Sequence, residues 1–80
     1  MKIQLLFFGI TTDLVGENSM SFEVPENCCV QDLKTKLISQ FSSLKNINHF
    51  AIAVNETYAE DTQLIQKNDV VAIIPPVSGG

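Results

Sequence analysis

The sequence predicts an α+β fold, a mixed sheet of about five strands with one main helix packed across it. Three observations carry that expectation. Apolar residues alternate in short runs toward both ends of the chain, the period of a strand. Between those runs, one segment switches to steps of three and four, the period of a helix face. The 80 residues are 45% hydrophobic and 18% charged, enough to fill a single core and too few for a second.

Residues 2–8, Lys-Ile-Gln-Leu-Leu-Phe-Phe, read as the first strand, with Ile3, Leu5 and Phe7 on one face and Leu6 and Phe8 on the other. Both faces are apolar near its end, as expected of a central strand covered on one side and docked on the other. Residues 9–18 carry two glycines among polar groups and read as the loop of a hairpin. A second strand follows over residues 19–24, with Met20, Phe22 and Val24 facing together, until Pro25 withdraws an N–H from the ladder.

Val30, Leu33, Leu37, Phe41 and Leu44 then form one stripe on a helix of about three turns. Asp32 suits the positive end of its dipole. Cys29 falls at the capping position, where its S–H is a poorer partner than a hydroxyl. After a polar connection over residues 42–48, Phe50, Ile52 and Val54 point inward from a third strand. Asn55-Glu56-Thr57 reads as a tight turn into a brief strand near Tyr58, and residues 61–66 are less regular. Residues 70–74, Val-Val-Ala-Ile-Ile, suit a central strand buried on both faces. A β-grasp roll satisfies this order, because its first and last strands lie side by side in the middle of the sheet. The domain then spans residues 1–74 and an extended tail residues 75–80.

Composition narrows the function. The five basic residues are all lysines, against nine acidic ones, for a net charge of −4. Without arginine or a lysine stripe to displace counterions from phosphates, nucleic acid is not an expected partner. An acidic surface favours a basic protein partner. No segment approaches the ~18 apolar residues of a membrane span, and no cleavable signal pattern opens the chain, so a cytoplasmic location is expected. Cys28 and Cys29 are neighbours that a strained bridge would join, and they read as reduced thiols. His49 has no second histidine or cysteine pair at ligand spacing, so no metal site is expected. Catalysis by either thiol with His49 lacks a local signature. Glu56, Glu60 and Asp61 read as solvated surface, and the glycines form no phosphate loop.

The chemical feature is the tail, Pro75-Pro76-Val77-Ser78-Gly79-Gly80. Its prolines stop sheet pairing and stiffen the exit. The four residues beyond Pro76 reach roughly 13 Å at ~3.3 Å each. Gly79 and Gly80 have no side chains and fit a channel too narrow for a Cβ. The terminal carboxylate is ionised at neutral pH and is a poor electrophile until a partner activates it. At the root of this tail, the face away from the helix should present Leu6, Phe8, Ala51, Ala53, Ala72 and Ile74, a nearly charge-free docking patch.

These residues resemble the small, sulfur-carrying subunits of molybdopterin synthase, a ubiquitin-like family of molybdenum-cofactor biosynthesis. The likeness is strongest in residues 3–16, with Leu-Phe-Phe and Asp-Leu-Val-Gly, and in residues 53–80, whose ending Ile-Pro-Pro-Val-Ser-Gly-Gly is the most specific element. Between Glu17 and Phe50 only the order of strand and helix matches, and Cys29 departs from the threonine or serine that often opens this helix. The resemblance implies that an activating enzyme uses ATP and magnesium to adenylate Gly80, and that a sulfur donor protein converts it to a thiocarboxylate. It further implies insertion of the tail into the large synthase subunit, guided by Pro75, Pro76, Val77 and Ser78, with Gly79 as the channel-fitting neighbour. Sulfur would pass to cyclic pyranopterin monophosphate in two deliveries within a heterotetramer of two small and two large subunits. On this reading the chain binds no cofactor and is a co-substrate more than an enzyme. A thiamin-pathway sulfur carrier, a protein modifier joined to lysines through Gly80, and a plain interaction module remain as alternatives.

Overall fold

The computed structural model describes residues 1–46 and 50–76. The chain runs β1 (Lys2–Phe7), α1 (Ile10–Val15), β2 (Ser19–Glu23), α2 (Val30–Gln40), a 3-10 turn (Ser42–Asn46), β3 (Ala51–Val54), β4 (Thr57–Tyr58) and β5 (Val70–Ile74). The five strands form one sheet in the order β2-β1-β5-β3-β4. β1 and β5 are parallel neighbours at its centre, with Leu5 opposite Val71 and Phe7 opposite Ile73. The remaining pairings are antiparallel. This is the expected mixed sheet with one main helix.

Alternation decides which face is core. Ile3, Leu5 and Phe7 of β1, Ile52 and Val54 of β3, and Val71 and Ile73 of β5 are buried together with Val30, Leu33 and Leu37 of α2. Phe41 joins this cluster, its ring edge-on to Phe7 at 6.2 Å. Each such side chain contributes about 1.5–3 kcal/mol of apolar burial.

Two expectations are corrected. The expected hairpin loop holds α1, a six-residue helix ended by Gly16 in the left-handed conformation (φ 87°). Ile10, Thr11, Thr12 and Val15 are β-branched, so the segment has little intrinsic helicity. Packing of Leu14 and Val15 against the core stabilises it instead. The stripe read through Leu44 is also not one helix. α2 stops at Gln40, and Phe41 leaves helical geometry (φ −118°, ψ 82°). Leu44 is still buried because the 3-10 turn carries it back to the core, its N–H donating to the Phe41 carbonyl at 2.9 Å. A step of three persists through such a turn, so periodicity alone did not reveal the break.

Cys29 caps α2 as expected, with its N–H donating to the Asp32 carboxylate at 3.4 Å and its S–H to the same oxygen at 3.3 Å. Ile65, in the irregular stretch, is buried beside it: its N–H donates to the Cys28 carbonyl at 2.9 Å. Both cysteines are free thiols.

Candidate functional site

The sheet face opposite α2 is laid out by register. Leu6 of β1, Ala72 of β5, Ala53 of β3 and Tyr58 of β4 lie in one row across four strands. The adjacent positions Val70 and Ile74 flank that row on β5. Among the described residues no helix covers them, which corrects the expectation that β5 is buried on both faces: Val71 and Ile73 are enclosed, whereas Val70 is 38% exposed and Ala72 and Ile74 are half-buried.

Five of the expected docking residues, Leu6, Phe8, Ala53, Ala72 and Ile74, line one shallow depression of about 390 Å³. Ala51 is opposite Ile74 on the same face and lies outside that lining. Ala53 is buried. Glu56, Tyr58 and Val70 complete the lining, and sequence reasoning did not place them there. Val70 was accessible by alternation from Ala72. Tyr58 and Glu56 depend on the register of a turn in which Asn55 and Glu56 both have positive φ, 50° and 72°, the geometry of a two-residue hairpin that pairs Val54 with Thr57.

At one end of this face the chain leaves β5 through Pro75 and Pro76. The exit is braced from β1 and α1. Phe8 is 49% exposed, and its N–H donates to Thr11 Oγ1 at 2.9 Å and lies 3.3 Å from the Ile73 carbonyl. The Thr11 hydroxyl is fully buried, donating to the Phe8 carbonyl with the Ile73 carbonyl 3.4 Å away. One side chain thus ties the end of β1 to the end of β5. Thr12 Oγ1 donates to the Phe7 carbonyl at 3.0 Å. Thr11 and Gly9, which meets Pro75, are supports that composition and periodicity did not indicate. Val77, Ser78, Gly79 and Gly80, like His49, fall outside the described residues.

Chemically, this arrangement is an exposed, mostly apolar face with Pro75 and Pro76 leaving β5 at its edge. Among the described residues, no three His, Cys, Asp or Glu side chains converge to hold a metal ion, and no helix is long and apolar enough to cross a membrane. Glu60 and Asp61 are exposed, with Asp61 paired to Lys34 at 2.8 Å.

Comparison with known proteins agrees with these features. A model of the ThiS family matches residues 5–80. The molybdopterin synthase sulfur carrier subunit of Arabidopsis thaliana is 32% identical over 81 residues, covering 100% of this chain and 84% of the relative. The subunit of the same name from Chlamydomonas reinhardtii is 31% identical over 83 residues, covering 100% of both. Among solved structures, SAMP1 from Haloferax volcanii superposes with a TM-score of 0.86 at 20% identity, over 100% of both chains. The complex of subunits 1 and 2 of molybdopterin-converting factor from Helicobacter pylori 26695 contains a chain with a TM-score of 0.71 at 24% identity, over 100% of both. These structural likenesses establish the ubiquitin-like β-grasp fold.

Proposed function

The chain belongs to the ThiS family, and from that premise we propose that it is the sulfur-carrying small subunit of a molybdopterin synthase, a non-catalytic component of a sulfurtransferase. The observation that carries the proposal is that the sequence Pro-Pro-Val-Ser-Gly-Gly follows a central strand directly, with Pro75 and Pro76 leaving that strand beside an exposed apolar face. Full-length relatives named sulfur carrier subunits support it.

The chemistry follows from the state of a free terminus. The Gly80 carboxylate attacks the α-phosphorus of ATP on a magnesium-dependent activating enzyme, and pyrophosphate leaves. The outer sulfur of a donor protein's persulfide then displaces AMP at the acyl carbon, and a second thiol reduces the resulting acyl disulfide, cleaving its S–S bond to leave a thiocarboxylate, a soft nucleophile on a narrow arm. Within the large synthase subunit, that sulfur passes to cyclic pyranopterin monophosphate, twice per dithiolene. Each time, the sulfur first bonds to the pterin as a thioester, and water then attacks the acyl carbon, breaking the carbon–sulfur bond so that the sulfur stays on the pterin and the carboxylate is restored. Pro75, Pro76, Val77 and Ser78 guide the arm, and Gly79 lets it lie against the partner's backbone. The apolar face around Leu6, Phe8, Ala51, Ala53, Ala72 and Ile74 seats the partner. A cytoplasmic location and an assembly of two small and two large subunits accompany this reading.

The β-grasp fold is shared by carriers and modifiers, so it does not discriminate between them. Intact mass does. After incubation with activating enzyme, ATP and sulfur donor, the chain is expected to gain one oxygen-to-sulfur replacement. That form should then make molybdopterin from the pterin precursor only when the large subunit is present. Conjugate ladders, or no mass change at all, would overturn the assignment.

A further inference from the structure

Apolar contact is non-directional, and a six-residue tail fixes a partner at one point only. Charges at the rim of such a contact are what most sharply select one rotational register among neighbouring ones. The depression has one carboxylate on its lining, Glu56, among Leu6, Phe8, Ala53, Tyr58, Val70, Ala72 and Ile74. Its position is remote from the tail: Ala51 pairs with Ile74 at the exit, whereas Val54, which leads into the Asn55-Glu56 turn, pairs with Val71. The length of β5, about 13 Å at ~3.3 Å per residue, separates the two ends.

Glu56 is also held there against its local preference. Its φ of 72° is the left-handed conformation that glycine adopts freely and a residue with a Cβ does not. The turn is anchored to the start of β5 by three hydrogen bonds. The Asn55 N–H donates to the Val70 carbonyl at 2.8 Å, the Val70 N–H to Asn55 Oδ1 at 3.0 Å, and Asn55 Nδ2 to Asp69 Oδ1 at 3.0 Å. The other Asp69 oxygen accepts from the Gln66 N–H at 2.8 Å. Asp69 is therefore committed to the scaffold, and Glu56 is the carboxylate presented to solvent at this end of the face. Residues kept in unfavourable backbone conformations by their surroundings cluster where a side chain has to be displayed.

We propose that Glu56 is an orienting charge, which pairs with a lysine or arginine on the partner's docking surface and fixes the rotation of the two proteins about the inserted tail. The proposal rests on the sulfur-carrier reading, with the large synthase subunit as the partner. A carboxylate at the rim of an apolar contact acts mainly on encounter and register, so its loss should be read first in the association rate.

The test uses the full chain and purified large subunit, with binding measured at low and at physiological salt. Glu56→Gln is expected to weaken binding about five- to tenfold at low salt, mostly through slower association, and to flatten its salt dependence. Glu56→Lys should weaken it on the order of a hundredfold, because two cations then face each other. Glu56→Gly should bind like Glu56→Gln yet melt at a higher temperature, since it relieves the positive φ. Wild-type affinity in all three variants would overturn the proposal and leave the carrier reading standing. Weaker binding accompanied by a lower Tm in Glu56→Gln and Glu56→Gly would overturn it as well, by exposing a merely structural role. Failure of the wild-type chain to bind the large subunit would remove both.

Discussion

Gly9 and Pro75 are packed so closely that a β-carbon built on Gly9 would stand 3.1 Å from Pro75 Cγ. Gly9 holds φ 55° and ψ −136°, outside the regions open to L side chains. The first residue of the tail is therefore set by the absence of a side chain near the opposite end of the chain, just past β1. Gly9→Ala is expected to destabilise the fold by about 1–3 kcal/mol through backbone strain, and to push Pro75 aside. Urea denaturation checks the first effect. The second should appear as slower sulfur transfer at saturating large subunit, and wild-type behaviour in both would refute the coupling.

Thr11→Val removes the hydroxyl that bridges Phe8 and the end of β5 while keeping nearly the same volume. A buried hydroxyl with partners on both sides contributes about 1–2 kcal/mol. At roughly 4–8 °C per kcal/mol for a domain of this size, the expected fall in Tm is readily measured. An unchanged Tm would mean that the Phe8 N–H is satisfied by the Ile73 carbonyl alone.

Much of this was legible in the sequence, for identifiable reasons. The two-residue alternation of β1, β3 and β5 fixes which side chains enter the core, so Leu6, Phe8, Ala53, Ala72 and Ile74 could be assigned to the opposite face from spacing. The centre of the sheet followed from the apolar character of both faces of its first and last strands. What escaped depends on long-range contact. α1 owes its helicity to Leu14 and Val15 meeting the core, the break after Gln40 leaves the spacing to Leu44 intact, and Tyr58 reaches the exposed apolar face through the register of a hairpin turn. Gly9 was visible only as a loop glycine because its reason, Pro75, lies at the other end of the chain.

Cys29→Thr should stabilise the fold. The residue already has extended backbone geometry (φ −99°, ψ 172°) and occupies the capping position of α2. A hydroxyl accepts from the free N–H groups of the first turn better than a thiol does. A gain of about 0.5–1 kcal/mol is expected, and a lower Tm would show that the Sγ contact with Asp32 matters more than the cap.

The two neighbouring thiols should behave differently. Cys28 is buried, and burial above all, with the Asp32 and Cys29 charges adding to it and Lys36 opposing, pushes its pKa above the ordinary value of 9.0. The folded chain therefore keeps this proton longer than the unfolded chain. The stability it contributes is fully present below the unfolded pKa and is lost as pH rises through the higher folded one. Stability measured by denaturant should fall as pH climbs past about 9, with a shallower slope in Cys28→Ala. Alkylation of the native protein should mark half-buried Cys29 well before Cys28, and equal labelling rates would contradict the burial.

Leu6→Asp tests the docking face itself. Leu6 sits between Ser19 and Ala72 in the row that crosses the sheet, on the side with no helix. In the free chain the new carboxylate can reach water, so the loss of stability should be small, about 1 kcal/mol from poorer strand propensity. Against a partner, the same carboxylate would be buried unpaired at the centre of an apolar contact, a change that costs a complex on the order of 2–4 kcal/mol or more. Assembly with the large subunit should therefore be abolished at working concentrations while the Tm stays close to wild type. Ser39→Asp makes the control, because Ser39 is exposed on α2, the helix packed on the other face of the sheet. If Leu6→Asp binds as Ser39→Asp and the wild type do, the partner approaches from another side of the molecule and the apolar face is not its seat.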